Sequence, residues 1–195
     1  MTTNQNQFDK TVDVLVVGSG CGGLTAALTA NISNGSKVLV IEKSNLIGGT
    51  SATSGGVIWI PNNHHAEQAG AVDSTKDAKD YLKATIPADE FNEPMIDSYL
   101  ENGPKMVKFM EDHTDVSYTS LEHYPDYFQD APGVKLGNRA LEPSPVSADT
   151  LEDDVDNLHP SGPQTILFGR YGVNFEESHA FTTQSPGWLK FFLNI

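Results

Sequence analysis

Basic residues and cysteine are scarce in this chain of 195 residues. Lysine and arginine together number 12, against 26 aspartate and glutamate residues, which gives a formal charge of −14 at pH 7. Nucleic acids and anionic membrane surfaces attract basic proteins, so this balance argues against both as partners. The one cysteine, Cys21, has no second thiol with which to form a disulfide inside the chain.

Long apolar runs are absent as well. No run approaches the roughly 20 residues that a membrane-spanning helix needs, so we predict no transmembrane segment. The first residues, Met1 to Asp13, are polar and lack the apolar core of a secretory signal. Together with the single cysteine, this pattern favours a cytoplasmic protein.

The strongest pattern in the chain lies between Val12 and Glu42. An apolar run leads into Gly18-Ser19-Gly20-Cys21-Gly22-Gly23, a stretch rich in alanine and leucine follows, and a second apolar run ends at Glu42. This order of strand, Gly-x-Gly-x-x-Gly, helix, strand and acid is the fingerprint of a dinucleotide-binding unit. The glycines allow a tight turn, a close approach to a pyrophosphate and close packing of helix on strand. The helix N-terminus would attract the pyrophosphate, and Glu42 would accept hydrogen bonds from an adenosine ribose.

The remaining pattern predicts further helices and strands. Strands are expected over Val12–Val17, Lys37–Ile41 and Val116–Tyr124, and helices over Gly22–Ile32, from Ser74 to Ala84 and from Asn92 to about Asp112. The first two strands should lie parallel and be buried on both faces, because they are rich in valine and almost continuously apolar. Gly103-Pro104 should break or kink the third helix.

Two stretches rich in glycine, serine, proline or aspartate are predicted to be loops. They are Asn45–Asn63 and Ala131–Pro160. Capping patterns open two helices, because Ser74-x-x-Asp77 and Asn174-x-x-Glu177 each place a short polar side chain before an acid three residues later. The second pattern predicts a short helix near the end of the chain.

The stretch after Glu42 favours FAD over other dinucleotides. A second crossover helix usually follows the second strand of an NAD-binding unit, whereas here a loop with two glycine pairs and several hydroxyl residues follows Lys43. This pattern resembles the flavoprotein superfamily of succinate dehydrogenase and fumarate reductase. In that superfamily Gly-Gly-Thr/Ser lies along the FAD pyrophosphate and ribityl chain, and Ser-Gly-Gly lies near the flavin ring. The fingerprint and this resemblance together imply that FAD contacts Gly18, Ser19, Gly20, Cys21, Gly22, Gly23, Glu42, Lys43, Gly48, Gly49, Thr50, Ser51, Ser54, Gly55 and Gly56.

Three further stretches resemble the 3-ketosteroid dehydrogenases, the FAD enzymes that introduce a double bond into the steroid A ring. They are Gly55–Asn62 with Trp59 and Pro61, the region of Asp73 to Leu82, and Tyr124-Pro125-Asp126-Tyr127 with the later Gly137, Arg139 and Leu141-Glu142-Pro143. In that family the last tyrosine of the Tyr-Pro-Asp-Tyr segment faces the steroid and supports a second tyrosine, which acts as the base. The resemblance therefore implies a catalytic position for Tyr127. We expect Tyr124→Phe to be nearly silent, because it leaves the proline turn intact.

The predicted fold is α/β, a Rossmann-like FAD-binding domain that 195 residues do not complete. In the family that the chain resembles, the second FAD-binding stretch, the base and the substrate domain lie farther along than Ile195. We therefore expect residues 1–195 to be the N-terminal part of an FAD-binding domain, inactive when expressed alone. The dense apolar end Trp188–Ile195 favours the same interpretation. The substrate expected for the parent-length protein is a small hydrophobic, steroid-like ketone, and the electron acceptor stays open.

Two alternatives remain. One is a fumarate-reductase-like flavoprotein that acts on an α,β-unsaturated carboxylate, a reaction that needs cationic groups around the substrate. Arg139 and Arg170 are the only arginines here, so such a site would need further sequence. The other alternative is a truncated, non-catalytic fragment. The histidines are scattered without ligand spacing and the acidic run from Glu152 to Asp156 is typical of a solvated loop, so no metal site is predicted.

Overall fold

The computed structural model describes residues 8–162, 166–167 and 171–183. The chain divides into two compact units, of which the first comprises Met1–Thr53 and Leu151–Pro160 and the second Ser54–Thr150 and Ser161–Ile195. Arg170 and the apolar end Trp188–Ile195 lie outside the described residues. Within the described ranges, no helix is long and apolar enough to cross a membrane.

The first unit contains the predicted strand–helix–strand arrangement. Strand β1 (Val14–Val17), helix α1 (Cys21–Asn34) and strand β2 (Val38–Ile41) follow one another, and the two strands pair in parallel. Gly35 ends α1 with a φ of 65°, a left-handed conformation that glycine adopts without steric cost. A short helix α2 (Gly49–Thr53) then interrupts the stretch that the sequence predicts to be one loop.

The prediction that these strands are buried on both faces is wrong for the described residues. Val16 points towards α1 and is buried, whereas Leu15 and Val17 on the opposite face are 54% and 77% exposed. The reason is that α1 packs on one face of the pair, and side chains alternate between faces along a strand. An apolar run is therefore compatible with a strand that is covered on one side.

The second unit is built on an antiparallel sheet of three strands. Strands β3 (Ile58–Trp59) and β4 (Tyr118–Ser120) flank strand β5 (Ala140–Pro143) in the order β3-β5-β4. Both outer strands differ from the predictions, since β3 lies in a predicted loop and β4 is shorter than Val116–Tyr124. The central strand β5 lies inside the other predicted loop, and its buried Leu141 packs into the core with Ile60 and Val107. The sequence of β5 is not typical of a strand, so its extended conformation depends on the burial of its side chains in the core.

Three helices of the second unit carry the caps that their sequences predict or allow. The helices are α3 (His64–Gln68), α4 (Thr75–Thr85) and α5 (Glu93–His113), whose N-cap side chains are Asn63, Ser74 and Asn92. The predicted break at Gly103-Pro104 does not occur, since α5 continues through Pro104. Gly103 is buried against Ile60, so close packing of α5 on the core offsets the hydrogen bond that proline removes.

The remaining elements lie towards the end of the chain. Short 3-10 turns over Ala148–Asn157 meet at Glu152, whose φ is 48°. Strands β6 (Ile166–Leu167) and β7 (Tyr171–Gly172) pair antiparallel, and helix α6 (Phe175–Thr183) follows. The predicted cap of α6 is confirmed, because Glu177 N–H donates to Asn174 Oδ1 and Asn174 N–H donates to Glu177 Oε2.

Candidate functional site

The glycine turn between β1 and α1 has the geometry that a dinucleotide fingerprint requires. Gly18 adopts a φ of 101°, and its N–H donates to Ile41 O at 2.7 Å. A Cβ on Gly23 would lie 2.1 Å from Gly18 O, a distance that no side chain tolerates without moving the backbone. These two glycines are therefore demanded by the fold itself, whatever binds to the turn.

Gly20 differs from Gly18 and Gly23, because neither a positive φ nor a close contact requires glycine at this position. Its backbone is extended, with φ −69° and ψ 171°, and a Cβ there would be 3.5 Å from Ser51 Oγ, an ordinary contact. Gly20 is the N-cap of α1 and offers no side chain to the first turn. The absence of a side chain at Gly20 leaves the turn open to a ligand that approaches the helix N-terminus, which is the place of the pyrophosphate in this class of fold.

Ser19 joins three segments of the first unit. Its side chain is buried, and its Oγ donates to Glu42 Oε2 at 2.7 Å and accepts from Gly48 N–H at 2.9 Å. Its backbone N–H donates to the same Glu42 oxygen at 2.9 Å. The turn after β1, the end of β2 and the loop before α2 are thus held together by one hydroxyl, a role that the sequence pattern did not indicate.

Glu42 is a firmly ionised carboxylate. Hydrogen bonds from the Ser19 hydroxyl, the Ser44 N–H and the Ser19 N–H, in that order of effect, lower the pKa of Glu42 from 4.5 to about 2. Oε1 accepts from Ser44 N–H at 3.0 Å, and a carboxylate oxygen has two lone pairs. Glu42 therefore retains capacity to accept from ribose hydroxyls, and its fixed negative charge opposes a 2′-phosphate.

The glycine pair before α2 is also required by backbone geometry. Gly48 and Gly49 have φ values of 100° and 52°, and a Cβ on Gly48 would lie 2.7 Å from Ala52 Cβ. Ser51 Oγ accepts from Cys21 N–H at 3.0 Å, which brings the start of α2 next to the start of α1. The structure thus gathers both glycine segments of the first unit at one place, as the fingerprint and the resemblance predict, with Lys43 and Thr50 exposed nearby in sequence.

The remaining predicted cofactor residues, Ser54, Gly55 and Gly56, belong to the second unit. Gly56 has a φ of 73°, and a Cβ there would be 2.7 Å from Pro143 Cγ, so this glycine packs directly on β5. Ser54 Oγ accepts from Gly56 N–H at 3.0 Å, which closes a tight turn. Gly55 is exposed with open space around its Cα. Their contact with FAD stays a prediction.

Ser19→Ala is expected to raise the pKa of Glu42 from about 2 towards its ordinary value of 4.5, because the strongest stabilising hydrogen bond is lost. In the unmodified protein this carboxylate stabilises the fold above about pH 4.5, and that contribution is lost as the pH falls towards 2. In the variant, the pH range over which this contribution to stability is lost should become narrower than 4.5 to about 2. Carboxyl ¹³C titration by NMR measures the pKa, with Ser33→Ala on the exposed face of α1 as the control. An unchanged Glu42 titration would contradict this account.

A cavity of about 250 Å³ lies in the second unit, and the predicted catalytic residue lines it. The walls are mainly apolar and aromatic, with Val57, Trp59, Tyr81 and Leu82 among them. Tyr127 is 79% exposed at this cavity. The volume is slightly below that of typical ligand pockets, so it has room for one end of a larger apolar molecule.

Tyr124 lines the same cavity and contacts Tyr127, a contact that the expectation of a silent neighbour did not take into account. The two phenol oxygens lie 3.1 Å apart, within hydrogen-bonding distance. This hydrogen bond, then burial, raises the pKa of Tyr124 above its ordinary value, and either phenol can donate in the pair. The spacing Tyr-x-x-Tyr around a proline turn was the available signal for this pair.

A buried ion-pair network fixes the segment that carries Tyr127. Asp126 is buried, and it accepts from Arg139 Nη1 and Trp59 Nε1, both at 2.7 Å, and from Lys135 N–H at 2.9 Å. Arg139 also binds Asp73 in bidentate fashion, at 2.9 and 2.7 Å. Tyr127 therefore follows directly after Asp126, whose carboxylate is fixed by hydrogen bonds from three different residues.

Arg139 is only 2% exposed, and both ends of its guanidinium face carboxylates. It is consequently unavailable as a binding group for a substrate carboxylate. The partners Asp73 and Asp126 were missed as a pair by sequence reasoning, because they are far apart along the chain and no local pattern joins them.

Comparison with known proteins agrees with this geometry. Residues 13–149 match the family described as FAD binding domain. The chain is 40% identical over 173 residues to 4-oxocyclohexanecarboxylate 2-dehydrogenase from Sinomonas cyclohexanicum, a match that covers 88% of this chain and 29% of that protein. It is 41% identical over 150 residues to 3-oxosteroid 1-dehydrogenase from Mycobacterium tuberculosis, covering 76% of this chain and 26% of that protein.

A solved structure is also similar. The crystal structure of 3-ketosteroid delta1-dehydrogenase from Sterolibacterium denitrificans, in complex with 1,4-androstadiene-3,17-dione, superposes with a TM-score of 0.84 at 39% identity. The match covers 91% of this chain and 31% of that chain. The chain thus spans between about a quarter and a third of the length of these relatives.

Proposed function

Because this chain belongs to the family of FAD binding domains, we propose that it supplies the nucleotide-binding part and one wall of the substrate site of a dehydrogenase for 3-ketosteroids. The observation that carries the proposal is the pair of hydrogen-bonded phenols at an apolar cavity, Tyr124 with Tyr127. Identity of about 40% to dehydrogenases of cyclic ketones supports the same chemistry. A cytoplasmic location, supported by the single cysteine, is part of this proposal.

The residues of the first unit fit the diphosphate and ribose of FAD. The open turn at Gly20 and the N-terminus of α1 would hold the pyrophosphate, and Glu42 would accept from the adenosine ribose. Gly48 and Gly49 would let the backbone approach the same part of the cofactor. When bound, FAD supplies the acceptor for the hydride that leaves the carbon next to the deprotonated one.

Tyr127 and Tyr124 form a pair of hydrogen-bonded hydroxyl groups in which either oxygen can donate. We propose that Tyr124 donates and Tyr127 accepts, which directs the Tyr127 proton to another acceptor at the cavity. Accepting one hydrogen bond makes a hydroxyl a better donor of the next. We propose that Tyr127 donates to the anion that forms during proton abstraction, either the tyrosinate base or the substrate oxygen. Asp126 and Arg139 keep this donor in place.

A second candidate substrate is a cyclohexanone that carries a carboxylate, since one relative is a 4-oxocyclohexanecarboxylate dehydrogenase. The same dehydrogenation next to a ring ketone would serve both substrates. The cavity favours the steroid, because its walls are mainly apolar and the one arginine of the described residues is buried in ion pairs. Because Arg139 is buried in ion pairs, it does not bind a substrate carboxylate. This weighs against the fumarate-reductase-like alternative, which needs cationic groups at the substrate.

Tyr127→Phe is expected to lower kcat for a 3-ketosteroid by about 10- to 1000-fold without loss of FAD, because a hydrogen bond to a developing or standing anion is removed. The chain spans about a quarter of its relative, so activity is measured in a chimera. In it, this chain replaces the matching segment of the M. tuberculosis 3-oxosteroid 1-dehydrogenase. The pH–rate profile should shift to higher pH, because the base then ionises less readily.

Two further variants make this test specific. Tyr124→Phe should lower kcat about 2- to 10-fold, the value of one neutral hydrogen bond, and Phe128→Leu changes a neighbouring exposed aromatic without removing a hydroxyl. Normal turnover of 3-ketosteroids by Tyr127→Phe would reject the catalytic role. Turnover of 4-oxocyclohexanecarboxylate with no activity on any 3-ketosteroid would assign the second candidate substrate instead.

A further inference from the structure

Two adjacent histidines converge on one carboxylate in the second unit, away from the residues that line the cavity described above. His64 Nε2 lies 2.8 Å from Glu111 Oε2, and His65 Nε2 lies 2.8 Å from Glu111 Oε1. All three side chains are largely buried, with exposures of 26%, 21% and 14%. The two imidazole rings lie side by side, with centroids 4.1 Å apart. Glu111 lies 46 positions after His65 in the sequence, yet the three side chains form a compact group in space.

Rigid elements hold each member of this group. His64 and His65 open α3 directly after Asn63, which is buried, caps the helix through Ala66 N–H at 2.8 Å and donates to Ile60 O at 2.7 Å. Glu111 lies in the last turn of α5. The ligand atoms are therefore placed by packed structure on both sides, which is the requirement for a preorganised site.

A backbone donor from a third element orients the carboxylate. Tyr118 N–H, at the start of β4, donates to Glu111 Oε1 at 2.9 Å. Outer donors of this kind fix the carboxylate ligands of metal ions and are part of the design of such sites. On the other side of the group, His64 Nδ1 is buried and has no hydrogen-bond partner among the described residues. Because both histidines face Glu111 through Nε2, an ion bound between them would not satisfy this Nδ1.

The set of donors matches one class of ligand. Two imidazoles and one carboxylate are the protein ligands of open zinc sites, in which water takes the fourth position. The candidate ligand atoms all lie within 4.8 Å of one another. In a tetrahedral site with bonds of about 2.0–2.2 Å they lie about 3.3 Å apart, so the present contacts of 2.8 Å would lengthen by about half an ångström. The formal charge of −14 favours the approach of cations.

We propose that His64, His65 and Glu111 bind a divalent transition-metal ion of the Zn²⁺ class, with water completing its coordination. The ion would join the start of α3 to the end of α5 and, through Tyr118, to β4. Because these elements are packed around the core of the second unit, the expected role is structural: metal binding stabilises the folded second unit. None of the three residues is among those expected to contact FAD, and none lines the cavity of the phenol pair.

Cobalt titration of the tag-free full chain tests the proposal, with Co²⁺ as the spectroscopic probe. We expect one Co²⁺ per chain, visible d–d absorption of low coordination number, displacement by Zn²⁺, and a higher melting temperature in the presence of Zn²⁺. Both His65→Ala and Glu111→Gln should weaken Co²⁺ binding by at least the roughly 10- to 100-fold that loss of an outer-shell partner costs. The control is His113→Ala, which removes an exposed histidine from the same helix as Glu111.

NMR of the histidine rings in the unmodified chain provides a test that does not depend on whether the variants fold. The protein has six histidines, and Co²⁺ should shift the ring signals of His64 and His65 far more strongly than those of His113 and His123. Absence of stoichiometric binding, binding that is unchanged in folded His65→Ala and Glu111→Gln, or paramagnetic shifts centred on other histidines would each overturn the proposal.

Discussion

Replacing Gly20 with valine is expected to abolish FAD binding while leaving the fold of the first unit intact. The extended backbone at Gly20 is accessible to valine, and its Cβ would meet only Ser51 Oγ at 3.5 Å and Gly48 O at 4.0 Å. The new side chain would instead fill the place of the pyrophosphate. Steric overlap of at least about 1–3 kcal/mol corresponds to a loss of affinity of at least about 5- to 150-fold. Flavin fluorescence titration and the FAD content of the chimera measure this loss.

Gly23→Ala gives the contrasting result, because the fold rather than the ligand forbids its side chain. The added Cβ would lie 2.1 Å from Gly18 O and 3.3 Å from Val16 Cγ1, so β1 and α1 would have to separate. This variant should lose FAD binding together with thermal stability. Thr29→Val, on the exposed face of α1, adds apolar bulk elsewhere on the helix and serves as the control. Normal FAD content in a folded Gly20→Val variant would show that the pyrophosphate does not bind at this turn.

Arg139→Met is expected to destabilise the second unit by about 3–5 kcal/mol at pH 7. The substitution leaves the buried carboxylates of Asp73 and Asp126 without their cation, and an uncompensated buried charge carries a cost of that size. Urea unfolding at pH 7 measures the change. By comparison, Lys105→Met removes an exposed ion pair with Glu101 and should cost less than about 1 kcal/mol.

The loss of stability in acid should be smaller in this variant. Burial raises the pKa of Asp73, but hydrogen bonds and charge from Arg139 outweigh burial and hold the pKa below its ordinary value of 3.8. In the unmodified protein this contribution to stability is therefore present above about pH 4 and is lost as the pH falls further. Without Arg139, only the backbone N–H groups of Ser74 and Asn62 still oppose burial, so the pKa of Asp73 should rise and less stability should be lost below about pH 4.

A charge-free network provides the matched control for this prediction. Combining Arg139→Met with Asp73→Asn and Asp126→Asn removes all three charges, so much of the lost stability should return. Asparagine at position 126 can still accept from Trp59 Nε1. Equal stability of Arg139→Met and the unmodified protein would show that the network contributes nothing to the fold.

Local sequence determined the strand–helix–strand unit and the helix starts. β1 and β2 are short valine-rich runs, the glycine turn between β1 and α1 follows one fixed spacing, and capping residues such as Ser74 bond groups three residues away. Each of these features depends on contacts between neighbours in sequence, or on backbone conformations that only glycine adopts at low cost. The family and its cofactor follow from the same local pattern.

Tertiary structure decided the features that depend on distant partners. Strand β5 lacks a typical strand sequence and becomes the centre of a sheet because β3 and β4 pair with it. Helix α5 continues through Pro104 because its buried face packs on the core. Buried pairing of Arg139 with Asp73 joins residues whose positions differ by 66, beyond the reach of any local pattern.

The candidate site shows the same division. Sequence spacing and resemblance were enough to propose the glycine positions and Tyr127. They did not predict the hydrogen bonds of Ser19 with Glu42, nor the convergence of His64 and His65 on Glu111. Spacing specifies which backbone conformations and neighbouring side chains occur together. Only packing of whole elements brings a hydroxyl, an imidazole or a guanidinium to a carboxylate from another part of the chain, because a local sequence pattern does not encode the positions of distant elements.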